Sequence, residues 1–379
     1  MNARKGSDPF LDASLRAGFP GAEQSTYLNA SAVGLTPQKG VEAVRRAYEA
    51  FGQGSHVVFP TIMPGVSGAR EKLARLLGVP QGDLGLAAST SDGMDVVATL
   101  LHGDGRRRVV MARAEFPASS APFRIRGYEL DLVDPVDGLH GTEAYAEAIK
   151  ENTVAIVASA VQFANGEALD LRALGDLAKE RGVFLVLNLT QAAGIIPLDL
   201  PSTGAHLAVG GGLKWLCSGV GSGYWWCPGE MIERFGIPRG GWFSHVDPFA
   251  MTAEQTAFRR EASVIEGGTG SMVPYLAMNK FLTILLKIGA ERVLAHVQAL
   301  NDLIIRWADD RGIEILSPRE KLRRGGQILL AHPEPETAQQ AMAGQGVIVS
   351  ARGKGIRVSP HLYNTEEDIG RFLEAWDQC

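Results

Sequence analysis

Between residues 107 and 189 the chain alternates short, continuous apolar runs with segments of helical period. Residues 107–112 (RRVVMA), 153–161 (TVAIVASAV) and 182–189 (GVFLVLNL) read as strands. Residues 142–150 read as a helix, as do 170–181, where Leu171, Leu174, Leu177 and Ala178 share one face and Asp170 is placed to cap the amino end. Strands that are apolar at nearly every position need cover on both faces, which predicts an α/β protein with a mostly parallel sheet between helices. In such sheets ligands bind outside the carboxyl ends of the strands, so the residues just after each strand carry the functional signal.

The pattern changes near residue 270. Two long helices are predicted at 274–288 and 290–311, then short strands at 327–331, 347–350 and 355–358, and a closing helix at 365–377. This divides the chain into a large domain, residues 20–270, and a smaller α+β domain, residues 271–379, with residues 1–19 available to pack on the latter. No internal repeat or low-complexity tract interrupts it.

Composition narrows the function. A formal net charge of −5 spread over 379 residues gives no basic stripe for nucleic acid and no amphipathic basic surface for lipid. No run of about 18 apolar residues is present to span a bilayer. The opening MNARKGSDPFLDAS has no apolar core of a secretory signal, so the expected location is cytoplasmic. Cys217, Cys227 and Cys379 have neither the number nor the spacing for a disulfide framework or a structural zinc site, and no metal is expected.

Lys214 is the first candidate for chemistry. It follows a strand in AHLAVGGGLKWLCSGVGSGYWW, boxed by Gly210, Gly211 and Gly212 and by bulky apolar residues. Partial desolvation there lowers a lysine pKa and makes the amine nucleophilic, as a Schiff base requires. The alternative reading of these residues alone is a surface lysine on a glycine loop. The nearby GVGSGY is no dinucleotide fingerprint, because Tyr224 takes the place of the third glycine.

Nine segments in order resemble a known family: YLNASAVGLTP, ASTSDGMD, AEFPASSAPF, VQFANGEALDL, LNLTQAAGIIPLDL, GGLKWLCSGVGSG, GWFSHVDPF, EGGTGSM and IRVSPHLYNTEEDI. Over nearly its full length the chain resembles the class V branch of the pyridoxal 5'-phosphate (PLP) enzymes of the aspartate-aminotransferase fold, fold type I. That branch includes kynureninases, cysteine desulfurases and isopenicillin N epimerase-like proteins. The resemblance implies that Lys214 holds the cofactor as a Schiff base and later moves the Cα proton. It implies that Phe116 stacks on the pyridine ring and that Thr90, Ser91 and Asp92 hold the phosphate at a helix amino end, Asp92 through its backbone N–H. Gln162 and Gln191 match positions bonded to the cofactor's phenolic oxygen, although strand-end turns could equally use such amides. Arg357 matches the arginine whose planar fork clamps the substrate carboxylate, with Asn29 and Ser31 at the same end. Thr269 matches a residue reaching the phosphate of a neighbouring subunit, with Trp242 nearby, which implies a homodimer with composite sites. For Trp242 and His245, interface packing is an equal alternative.

Four positions depart from the family. Asn188 stands where an aspartate usually faces the pyridine nitrogen, and His206, Gly211 and Leu213 replace an aspartate, a polar phosphate ligand and a histidine or tyrosine. Loss of a charge partner for the ring nitrogen costs on the order of 3–5 kcal/mol by analogy with broken buried pairs. His206, if close and charged, could substitute in part. The expected function is therefore action on a small amino acid after displacement of Lys214, by lyase-type or related Cα/Cβ chemistry. The alternatives are an aminotransferase or epimerase of the same family, or a non-catalytic protein that keeps the scaffold.

Overall fold

The computed structural model describes residues 13–379. Seven strands build the main sheet, in the order Leu84–Ala87, Gly223–Trp226, Leu207–Gly211, Phe184–Asn188, Thr153–Ser159, Arg108–Ala112 and Glu129–Val133. Gly223–Trp226 runs antiparallel to both neighbours and every other pairing is parallel. The short link after Leu207–Gly211 leaves no room for a helical crossover, so the next strand returns in the opposite sense.

The continuous apolar runs are explained by two cores, one on each face. Val110, Ile156, Ala158, Leu185, Leu187 and Ala208 point into one. Their chain neighbours Val109, Met111, Val157, Val186, Leu207 and Val209 point into the other. Each buried Val, Leu or Ile contributes about 1.5–3 kcal/mol against exposure, so both faces hold the sheet in register. Asp170 caps the Leu171–Arg181 helix as its type predicts, its side chain accepting from the Ala173 N–H at 3.0 Å.

The helix Val273–Ile288 corrects the expected division of the chain at residue 270. It packs on the helices Gln38–Phe51 and Ser55–Leu77 and joins the core of the large sheet. Its Tyr275 hydroxyl lies 2.6 Å from the carbonyls of both Ala87 and Gly223. A helix apolar on most sides announces burial but not its neighbour, which is why periodicity misassigned it. The third core gathers Leu300, Ile304, Trp307, Ile328, Leu330, Ile356, Val358 and Phe372 around the three-stranded sheet Ser350–Arg352, Gly355–Val358 and Ile328–Ala331. Val347–Ile348 does not join that sheet but pairs in parallel with Thr26–Tyr27.

Of residues 1–19, those before Ala13 lie outside the described residues. Arg16, on the helix Ala13–Ala17, pairs with Asp368 at 2.6 Å, tying that helix to the closing helix Glu366–Trp376. Among the described residues no helix is long and apolar enough to cross a membrane, and no group of three His, Cys, Asp or Glu could hold a metal ion.

Candidate active site

Strand ends at Ala87, Ala112, Ser159, Asn188 and Gly211 meet along one edge of the main sheet, and the residues near them line a cavity of about 450 Å³. Lys214 rises into it one turn beyond Gly211, with its Nζ 5.5 Å from the centre of the Phe116 ring. Burial lowers the Lys214 pKa to about 8, with the positive charges of Arg357 and then Arg352 pushing the same way.

At one end of the cavity the helix Thr90–Leu101 presents its amino terminus. Ser89 caps it, its hydroxyl accepting from the Asp92 N–H at 3.1 Å. That bond corrects one expectation, because the Asp92 amide is already used, while Thr90 and Ser91 in the first turn line the cavity. The Asp92 carboxylate turns away, accepting from the Ala88 N–H at 2.8 Å and pairing with Arg239 at 2.5 Å, which holds its pKa below the usual carboxylate range. Gly211 has a physical reason as well. A Cβ there would lie 2.8 Å from the Thr90 hydroxyl, and at Gly212 it would lie 2.1 Å from the Ser218 hydroxyl. Glycine at 211 lets the helix end close on the strand end, and the Thr90 hydroxyl, 2.8 Å from that of Thr190, is the polar group beside it.

Asn188 ends the central strand of the sheet and lines the cavity floor. Its amide donates to the Ser119 hydroxyl and its carbonyl accepts from the Thr190 N–H, each at 3.0 Å. Gln191 also lines the cavity, with Nε2 donating to the Ser31 carbonyl at 3.0 Å and Oε1 accepting from the Trp215 indole at 2.8 Å. One Nε2 hydrogen is left for a ligand.

At the other end Arg357 is buried, only 2% exposed, with Nη1 donating to the Phe163 carbonyl at 3.1 Å and Nε without a partner among the described residues. Burial, then the charge of Arg352, lowers its pKa to about 9, which leaves it charged at neutral pH. Phe163 stands edge-on to Phe116 at 5.2 Å and forms a wall of the cavity.

Five further expected residues do not line the cavity. His206 begins the strand that Gly211 ends, about 16 Å away at the rise of an extended chain. It accepts from the Leu185 N–H at 3.1 Å and its pKa is lowered by burial, so it is neutral and cannot stand in for an acid at the ring nitrogen. Gln162 points inward and donates to Glu115 at 3.0 Å, where Glu115 also accepts from the Ser159 N–H and hydroxyl at 2.6 Å each. Its role is to fix the turn that carries Phe163. Asn29 accepts from the Ser350 hydroxyl at 2.7 Å, one layer behind Ser31, which does line the cavity. Thr269 lies in a separate groove of about 710 Å³ and Trp242 stacks on Phe243 at 3.8 Å, so neither lines the Lys214 cavity of its own chain. Sequence reasoning missed Phe163, although it stands in the quoted VQFANGEALDL, and missed Arg352, which carried no motif signal beyond a glycine-flanked hairpin.

A half-buried lysine amine, an aromatic ring beside it, a helix amino end and a buried arginine at the carboxyl edge of an α/β sheet define the site of a fold-type I PLP enzyme. The chain belongs to the aminotransferase class-V family, whose model matches residues 26–372. It is 27% identical to a kynureninase of Pseudomonas fluorescens over 96% of this chain and 90% of that one. Among solved structures, a cysteine desulfurase of Thermococcus onnurineus NA1 superposes with a TM-score of 0.87 at 19% identity, over 99% of both chains. A mutant of C-DES with glycine covalently linked to its PLP cofactor superposes with a TM-score of 0.86 at 19% identity, over 95% of this chain and 98% of that one. At such identity the two structures share the fold. The cofactor is pyridoxal phosphate, and the cavity fits it: free N–H groups for a phosphate, a face of Phe116 for a ring and an amine for an aldehyde.

A pKa near 8 makes the free-amine fraction of Lys214 at pH 7 about 300-fold that of an ordinary lysine. In cofactor-free protein, the rate of reductive methylation at Lys214 by formaldehyde and cyanoborohydride should rise with pH to a midpoint near 8. Arg357→Met removes a like charge and should move that midpoint upward. A midpoint near 10.5 in the unaltered protein would contradict the desolvated amine.

Proposed function

We propose that this chain is a PLP-dependent enzyme acting on a small amino acid, with lyase-type Cα/Cβ chemistry at Lys214. The carrying observation is the placement of the depressed Lys214 amine between Phe116 and the buried, acid-free Arg357. When bound, the cofactor supplies an aldehyde that captures amines and a ring that accepts electrons. The residues do the rest. Thr90 and Ser91 N–H groups would hold the phosphate, Phe116 would cover the ring, and Gln191 Nε2 would donate to the cofactor's phenolic oxygen. Arg357 holds the substrate carboxylate in a two-point grip, and Ser31 closes that end. The Lys214 amine, desolvated in the cavity, would serve as the base that takes the substrate's Cα proton.

Asn188 at the ring nitrogen is the reason to favour lyase chemistry over transamination. A neutral amide there would not stabilise a protonated nitrogen, so the ring would be a weaker acceptor of electrons. Similarity to a kynureninase over 96% of the chain supports the same choice. Desulfuration through a persulfide-carrying cysteine is disfavoured: Cys217 and Cys227 are buried, and no cysteine lines the cavity. The working unit is a homodimer, in which Thr269 and Trp242 complete the partner's cavity. That neither lines the Lys214 cavity of its own chain, Thr269 lying in a separate groove, supports that arrangement.

Borohydride reduction of the yellow holoprotein followed by peptide mapping should place the pyridoxyl group on Lys214. A panel of amino acids should then shift its absorbance, and mass spectrometry of the products names the broken bond. Label on another lysine would overturn the assignment.

Shared sites are tested by mixing Lys214→Ala protein with the Trp242→Ala, Thr269→Ala double variant. Hybrid dimers then hold one site with both defects and one with neither, so activity should return towards about a quarter of normal as subunits of a 1:1 mixture exchange. No recovery after proven exchange would refute composite sites.

Asn188→Asp should be accommodated, because the Ser119 hydroxyl can donate to the new carboxylate and the Thr190 N–H still does. The stability cost is expected at about 1 kcal/mol. The nitrogen-15 resonance of labelled cofactor should move towards the protonated form, with more side transamination. An unchanged resonance would show that Asn188 does not set the ring's protonation.

A further inference from the structure

We propose that Arg352 is a second anion-binding residue of the cavity, and that the substrate is an amino acid whose side chain ends in an acidic group. The proposal rests on the reading of the cavity as an amino-acid site. It comes from the hairpin formed by Ser350–Arg352 and Gly355–Val358. Ser350 stands opposite Arg357 and Arg352 opposite Gly355. Arg352 and Arg357 are therefore diagonal neighbours on one face, at a spacing of about 7–8 Å. Both line the cavity.

The charges of the cavity are unbalanced. Its lining holds Lys214, Arg352 and Arg357 and no Asp or Glu. Elsewhere the chain pairs its partly buried arginines with acids: Arg16 with Asp368, Arg70 with Glu266, Arg108 with Asp131 and Arg324 with Asp302. Among the described residues Arg357 and Arg352 have no acidic partner, and Arg352 donates only to the carbonyl of its neighbour Ala351, at 2.8 Å. Unpaired cations facing a cavity are satisfied by an anionic ligand. The cofactor phosphate is accounted for by the helix end at Thr90, and one carboxylate by Arg357. Arg352, exposed at the rim on the same face, is left for a second.

Gly355, paired opposite Arg352, carries no side chain to cover the guanidinium, which stays exposed at the cavity rim.

Calorimetric titration of holoprotein with succinate and with butyrate tests this, because the two differ by one carboxylate. Succinate should bind at least about tenfold more tightly, the gain of one charge-assisted contact. Arg352→Gln should bring succinate down to the butyrate level while leaving butyrate within about twofold. Arg357→Gln should weaken both. In the spectral panel, L-aspartate or L-glutamate should saturate at lower concentration than its amide, and Arg352→Gln should remove that preference. Equal binding of succinate and butyrate, or an unchanged ratio in Arg352→Gln, would overturn the proposal. Failure to label Lys214 with borohydride would overturn the amino-acid reading instead, so the two outcomes are distinguishable.

Discussion

The site depends on how closely backbone can approach backbone after the strand Leu207–Gly211. At Gly211 there is no room for a Cβ beside Thr90, and at Gly212 none beside Ser218. Those two contacts bring the amino end of Thr90–Leu101 and the turn leading to Gly223–Trp226 against the segment that carries Lys214. A methyl at either position would push them apart at a cost of about 1–3 kcal/mol, and would shift the phosphate end of the cavity relative to the amine. Where the family pattern has a polar side chain at position 211, this chain has a glycine that lets the Thr90 hydroxyl stand across the same gap.

A second constraint is the stiffness of the wall that faces Lys214. Glu115 accepts three hydrogen bonds from Ser159 and Gln162, so the turn after the strand Thr153–Ser159 is tied to the segment carrying Phe116. The same turn is held from the other side by Gln327, whose amide donates to the carbonyls of Gln162 and Phe163 at 3.2 and 3.0 Å. Phe163 also receives Arg357. One short loop therefore links the aromatic wall, the end of the main sheet and the strand bearing the arginine. Movement of the C-terminal sheet would be felt first at the carboxylate end of the cavity.

How much of this was legible in the sequence follows from how local each signal is. Three of the seven strands of the main sheet and the Asp170 cap are local patterns, and they stand where periodicity put them. Lys214, Phe116 and Arg357 were found through motif segments and they line the cavity together. His206 was misplaced because sequence distance along a strand hides which end of the sheet a residue occupies. Gln162 and Asn29 stand one layer behind the cavity, a difference of side-chain direction that no spacing encodes. Arg352 was invisible because its position follows from the pairing of Ser350 with Arg357, a register that only the folded hairpin fixes.

Asn188 and the two unpaired arginines belong to one electrostatic design. An aspartate on the cavity floor would offset part of the positive charge of Lys214, Arg352 and Arg357 and would hold a proton on the ring nitrogen. With asparagine there, its amide locked between Ser119 and Thr190, no protein carboxylate lines the cavity. On the reading proposed above, balancing negative charge would arrive with the ligands, as phosphate at the helix end and as carboxylates at the arginines. Under that same proposal, a neutral amide at the ring nitrogen would leave the ring a weaker acceptor of electrons, which would favour bond cleavage whose products carry the charge over reactions that must store it in the ring.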